Sequence, residues 1–147
     1  MRTLQVTVPG RAVTAHRGAR KGRRQLISYP NPKYDAWKAH VRRCAAEVVP
    51  DDWPMHALGP RGGKLPMLYA VNVCGFASDG GYDADNLRGV LDACEGVLWS
   101  NDRSCKPVTY DCVTGAGADF VRFEVVPWDP REGLMLARFE WREAGET

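Results

Sequence analysis

A run near the middle of the chain, Met67-Leu-Tyr-Ala-Val-Asn-Val-Cys-Gly-Phe76, is apolar almost without interruption. It follows Pro66 and ends before Asp79-Gly80-Gly81. A strand that shows no polar face is buried on both sides, so this run predicts the central strand of a sheet. Its partners are legible too. Leu4-Gln-Val-Thr-Val8 alternates apolar and polar and stops at Pro9-Gly10, which predicts a first strand. Val108 to Val113 and Asp119 to Val126 predict two more, and the Gly-containing link Thr114-Gly-Ala-Gly-Ala118 predicts that they form a hairpin.

Helices are expected between these strands. Asn31 is a suitable cap and Pro32 fits the first helical position. Tyr34, Trp37, Val41, Cys44, Ala45 and Val48 then recur at helical spacing, and Pro50 ends the segment. A second helix is expected from about Asn86 to Glu95. Leu87, Val90, Leu91 and Cys94 form its apolar side, Asp85 or Asn86 its cap, and Gly96 its C-terminal cap. Residues 11–24 read as a basic loop and 51–66 as a surface loop in which His56 has a structural or solvent-facing role. Residues 128–147 read as a C-terminal extension, with Pro130 to Arg142 either a helix or an added strand. The fold class that results is α/β (α+β): one domain over 1–147, with a small mixed sheet in β-α-β-α-β-β order.

At 147 residues and 44% hydrophobic content the chain suits one such core. No apolar run is long enough to span a bilayer, and the N-terminus lacks the apolar core of a signal peptide, so the expectation is a soluble cytoplasmic protein without a membrane partner. Cys44, Cys74, Cys94, Cys105 and Cys112 are odd in number and include no CxxC, which predicts reduced, mostly buried thiols rather than a disulfide framework or a zinc knuckle.

The net charge of +2 hides an asymmetry. Lys and Arg are concentrated before Asp79 and the acids from Asp79 onward. Between Arg11 and Arg24 no acid interrupts Arg11, His16, Arg17, Arg20, Lys21, Arg23 and Arg24. A run of one sign is either a solvated segment or an arm that meets phosphate. Lys38, Arg42 and Arg43 lie largely away from the apolar stripe of the first helix and would extend that basic surface, or simply be solvated.

The acids have a pattern of their own. Asp83 and Asp85 are two residues apart, so on extended backbone they point to the same side. Asp102 follows the second expected helix. Three such carboxylates would make an all-oxygen pocket of the kind that Mg²⁺ or Mn²⁺ prefers. Asp-x-Asp pairs also cap helices and face water, and spacing alone leaves both readings open.

The run Asp83-x-Asp85-Asn86-Leu87 leading into a helix, Asp92 within that helix, and Trp99-Ser100-Asn101-Asp102 after it resemble the RusA family of Holliday junction resolvases. The element order from about Leu4 to Val126 fits as well, although only Asp83 to Asp102 is specific. The resemblance implies that Asp83, Asp85 and Asp102 are catalytic, metal-binding carboxylates for Mg²⁺ (or Mn²⁺), and that the protein is a homodimer acting on four-way DNA junctions. The basic residues Arg11, Arg17, Arg20, Lys21, Arg23, Arg24, Lys38, Arg42 and Lys106 are the expected DNA contacts, read from their charge. Two departures stand out. Asn101 replaces the first acid of the family's pair, and no lysine follows Asp85 in the helix, where the family has a catalytic one. Arg88 is the nearest basic residue and the candidate for its role. Lys106 is another, and a chain with little or no cleavage activity is a third possibility. The expected function is thus an Mg²⁺-dependent, structure-specific endodeoxyribonuclease of DNA recombination and repair. The alternatives are a non-catalytic branched-DNA binding protein of the same fold and a small interaction domain whose aspartates only cap and solvate.

Overall fold

The apolar run forms the strand that everything else is built on. In the computed structural model, which describes residues 3–14, 18–21, 25–28, 31–58, 61–80 and 84–129, it belongs to a mixed sheet of four strands. In chain order the elements are β1 (Leu4–Pro9), β2 (Gly18–Lys21), β3 (Gln25–Ser28), α1 (Pro32–Val48), β4 (His56–Leu58), β5 (Lys64–Pro66), β6 (Leu68–Ala77), α2 (Gly89–Ala93), β7 (Cys105–Thr114) and β8 (Phe120–Trp128). Single 3-10 turns span Ala84–Leu87 and Asp102–Ser104.

The sheet runs β1-β8-β6-β7. β6 is parallel to β7 and antiparallel to β8, and β1 closes the other side antiparallel to β8. Registry places Val6, Phe123, Val73 and Tyr110 in one row across the sheet, and Leu4, Val125, Val71 and Val108 in the next. These rows join Trp37, Val41 and Ala45 of α1 and Leu87, Val90 and Ala93 of the α2 region in one core. β6 is buried at every position after Leu68, as its composition predicts.

The expected β7–β8 hairpin is not formed. The two strands lie on opposite sides of β6. A strand apolar on both faces also needs both edges hydrogen-bonded, and β7 and β8 each supply one. The link between them therefore spans two strand spacings, roughly 9.5 Å. Gly115 and Gly117 take positive φ there (76° and 79°), and the link is tied down by Ala116 N–H to the Ala77 carbonyl (3.2 Å) and Ser78 N–H to Asp119 Oδ1 (2.8 Å).

Other expectations are corrected in detail. The 11–24 loop contains β2, which pairs antiparallel with β3. The 51–66 loop contains the β4–β5 hairpin, and its Trp53 is buried with the indole N–H donated to the Leu98 carbonyl (2.8 Å). His56 is exposed, in keeping with a solvent-facing role. α1 begins as read: Asn31 Oδ1 accepts from Tyr34 N–H (3.1 Å) with Pro32 at the first position. Its stripe ends sooner, since Val48 is 46% exposed. The C-terminal Pro130–Arg142 segment lies outside the described residues. Among the described residues, no helix is long and apolar enough to cross a membrane.

The second helix is shorter than the spacing predicts. Residues 84–87 form a 3-10 turn, and α2 proper begins at Gly89 with Arg88 in the capping position, so neither Asp85 nor Asn86 is the cap. The break coincides with a close approach. A β-carbon on Gly89 would lie 2.8 Å from Tyr34 Cε2 and Oη and 3.1 Å from Trp37 Cζ3. Tyr34 and Trp37 are both buried and have little room to retreat. Gly89→Ala gains up to about 1 kcal/mol of helix propensity, but overpacking at such a site costs about 1–3 kcal/mol. We therefore expect net destabilisation. A urea titration reads it as a lower midpoint at unchanged slope, and a midpoint at or above wild type would contradict the close packing.

Candidate metal and nucleic-acid site

The crossover from β6 to β7 carries the acidic motif, and its anchors decide which side chains face outward. Leu87, Val90, Cys94, Leu98 and Trp99 have no exposed surface. With Leu87 turned into the core and its 3-10 turn packed on β6 and β7, Asp85 and Arg88 are turned to solvent, each with a side chain 73% exposed. Arg88 Nε meets Asp85 Oδ1 at 3.1 Å. Asp83 lies outside the described residues.

The far end of the crossover presents Asp102. Gly96, in the left-handed region (φ 81°), turns the chain after α2, and its N–H donates to the Trp99 carbonyl (2.7 Å). Gly96 is not the cap expected of it: α2 ends at Ala93 with Cys94 in the capping position, and Gly96 serves the turn two residues further on. Asn101 Oδ1 then accepts from Arg103 N–H (2.9 Å) and caps the turn that opens β7. Asp102 N–H donates to Glu95 Oε1 (3.1 Å), which holds a second carboxylate beside Asp102. Sequence reasoning missed Glu95. Its only sequence signal is an acid in the last turn of the expected helix.

Two groups under this surface register both ends of the crossover. Burial raises the Cys105 thiol far above its ordinary value, and the negative charges of Asp102 and Glu95 add to the effect. Burial also raises Tyr110, where the Arg88 cation opposes the shift and Asp102 reinforces it. The other buried thiols, Cys74 and Cys94, are each pushed up to about 12, mainly by burial.

Among the described residues, no three His, Cys, Asp or Glu side chains come together closely enough to hold a metal. The donor chemistry of Asp85 and Asp102 nevertheless suits a hard cation, since both are exposed carboxylates and Mg²⁺ usually takes only one or two from the protein, with water filling the rest.

The basic residues divide into four sets. Arg17, Arg23 and Arg24 lie outside the described residues, and Arg20 and Lys21 lie on β2. Lys106 is exposed on β7. Arg11, Lys38 and Arg42 engage the protein itself. Arg11 Nη1 pairs with Asp79 Oδ1 (2.9 Å), Lys38 Nζ with Asp92 Oδ2 (2.7 Å), and Arg42 donates to the Glu95 carbonyl. No protein-family model matches the chain, and no curated protein matches it either.

Proposed function

We propose that the chain is an Mg²⁺-dependent endonuclease that cuts four-way DNA junctions as a homodimer, one active site per subunit. The observation that carries this reading is that the crossover turns Asp85 and Arg88 out to solvent, paired at 3.1 Å, before α2 and exposes Asp102 after it. Asp83, Asp85 and Asp102 would hold the ion. When bound, it would lower the pKa of a coordinated water and neutralise charge developing on the phosphoryl oxygens.

The protein's own side chains supply the rest. Arg88, exposed beside Asp85, would bind the scissile phosphate. Because a guanidinium stays protonated, it stabilises negative charge and does not donate a proton to the leaving oxygen. Two-fold symmetry of the dimer would match paired nicks in strands of like polarity. The basic residues between Arg11 and Arg24 would meet the DNA backbone, so affinity would fall steeply as salt rises. A second reading has its own observation. The Asp85–Arg88 ion pair joins two members of the proposed site, and a chain in which that pair persists would bind branched DNA without cutting it.

Two measurements test the proposal short of catalysis. A ligand that binds only the folded state at a hundred times its dissociation constant stabilises by about 2.7 kcal/mol. Saturating Mg²⁺ or Mn²⁺ should therefore raise the melting temperature, and Asp102→Asn should remove most of that rise; an equal rise in the variant excludes Asp102 as a ligand. Replacing Arg20, Lys21, Arg23 and Arg24 with glutamine should flatten the salt dependence of junction binding by about 0.9 in log–log slope for each phosphate that the arm no longer neutralises. An unchanged slope would take the arm out of the interface.

A further inference from the structure

α2 is five residues long, and its capping residue Arg88 makes no side-chain capping bond. A helix this short does not persist on its own hydrogen bonds, so its position comes from its neighbours. α1 supplies three holds: Tyr34 and Trp37 against Gly89, Arg42 on the Glu95 carbonyl, and Lys38 on Asp92. Lys38 is the least expected of these. Its side chain is 23% exposed, against 73% for Arg88, and its ammonium lies 2.7 Å from Asp92 Oδ2 and 4.9 Å from the centre of the Tyr34 ring. A cation so placed between a carboxylate and an aromatic face is turned toward α2.

We propose that Lys38 is a positioning residue: through Asp92 it fixes α2, and with it the turn that carries Asp85 and Arg88, and it does not touch DNA. The activity part of the proposal rests on the nuclease reading above, while the positioning part does not. Lys38→Met keeps an unbranched apolar stem and removes the charge. Lys38→Arg keeps the charge and can re-form the pair with Asp92. Losing a group that supports a site from behind typically costs about ten- to a hundredfold in activity.

The test measures three quantities on wild type, Lys38→Met and Lys38→Arg: the nicking rate on a saturating four-way junction, the junction dissociation constant, and amide hydrogen exchange over residues 85–94. In Lys38→Met we expect the nicking rate to fall by that factor, junction affinity to stay at the wild-type value, and exchange over 85–94 to quicken. Lys38→Arg should restore both rate and protection. Affinity falling in step with nicking would make Lys38 a phosphate ligand and overturn the proposal, as would unchanged exchange. If wild type does not nick, the nuclease reading fails, and quickened exchange in Lys38→Met still establishes the positioning role. Asp92→Asn breaks the same pair from its exposed side and carries the exchange measurement should Lys38→Met not fold.

Discussion

Asp85→Asn is expected to lower junction nicking by more than about a hundredfold, the upper end of what losing even a group behind a metal ligand costs, while leaving junction affinity intact. The substitution keeps the shape of the side chain and removes the charge a hard cation needs. It also removes the ionic partner of Arg88, which lies 3.1 Å away. The fold should not suffer. The side chain is 73% exposed, and an exposed ion pair of this kind contributes at most about 1 kcal/mol. The loss should therefore appear in the rate and in the response to Mg²⁺, not in the melting temperature. Affinity is expected to persist because, on the proposed reading, junction binding would depend on phosphate contacts elsewhere. A variant that nicks at the wild-type rate would remove Asp85 from the site.

The largest effect on stability is expected at Trp99. Its ring has no exposed surface, its indole N–H donates to the Leu91 carbonyl (2.9 Å), and it lies 5.7 Å from Tyr69, which in turn stacks on Trp53 at 6.2 Å. It thus fastens the link between α2 and Asp102 to the central strand. Trp99→Ala should cost about 3–5 kcal/mol, as large-to-small changes of buried aromatic residues do, out of a total stability on the order of 5–15 kcal/mol. Trp99→Phe separates the two contributions. It retains most of the ring and leaves the Leu91 carbonyl without its donor, which should cost about 1–3 kcal/mol. Chemical denaturation of both variants checks the order. A loss below about 1 kcal/mol for Trp99→Ala would mean that the crossover is anchored elsewhere.

What could be read from the sequence follows from how local the signal is. The alternation in Leu4–Val8, the Asn31–Pro32 start of α1 and the unbroken apolar run of β6 each encode their structure within a few residues, and each is found as read. The β7–β8 pairing is not local. Two strands with a Gly-containing link carry the same pattern whether they pair with each other or flank a third strand, and only the need of β6 for partners on both edges decides between them. The α2 boundary fails for a similar reason: the break at Arg88–Gly89 accompanies the rings of Tyr34 and Trp37, far away in sequence.

The site divides along the same line. The outward positions of Asp85 and Arg88 follow from the burial of Leu87, which the apolar spacing announces. That Glu95 sits beside Asp102, and that Lys38 and Arg42 reach across to the α2 segment, depends on how α1 packs against the crossover. Helical spacing places those two basic residues off the apolar stripe but does not reveal what they meet.

The most direct test of the central claim is a nicking assay on a synthetic four-way junction beside a linear duplex of the same sequence, with and without Mg²⁺. Paired, symmetric nicks in the junction alone, present with Mg²⁺ and absent without it, are the predicted result. Junction binding with no nicking in either Mg²⁺ or Mn²⁺ would contradict it and leave the chain as a branched-DNA binding protein.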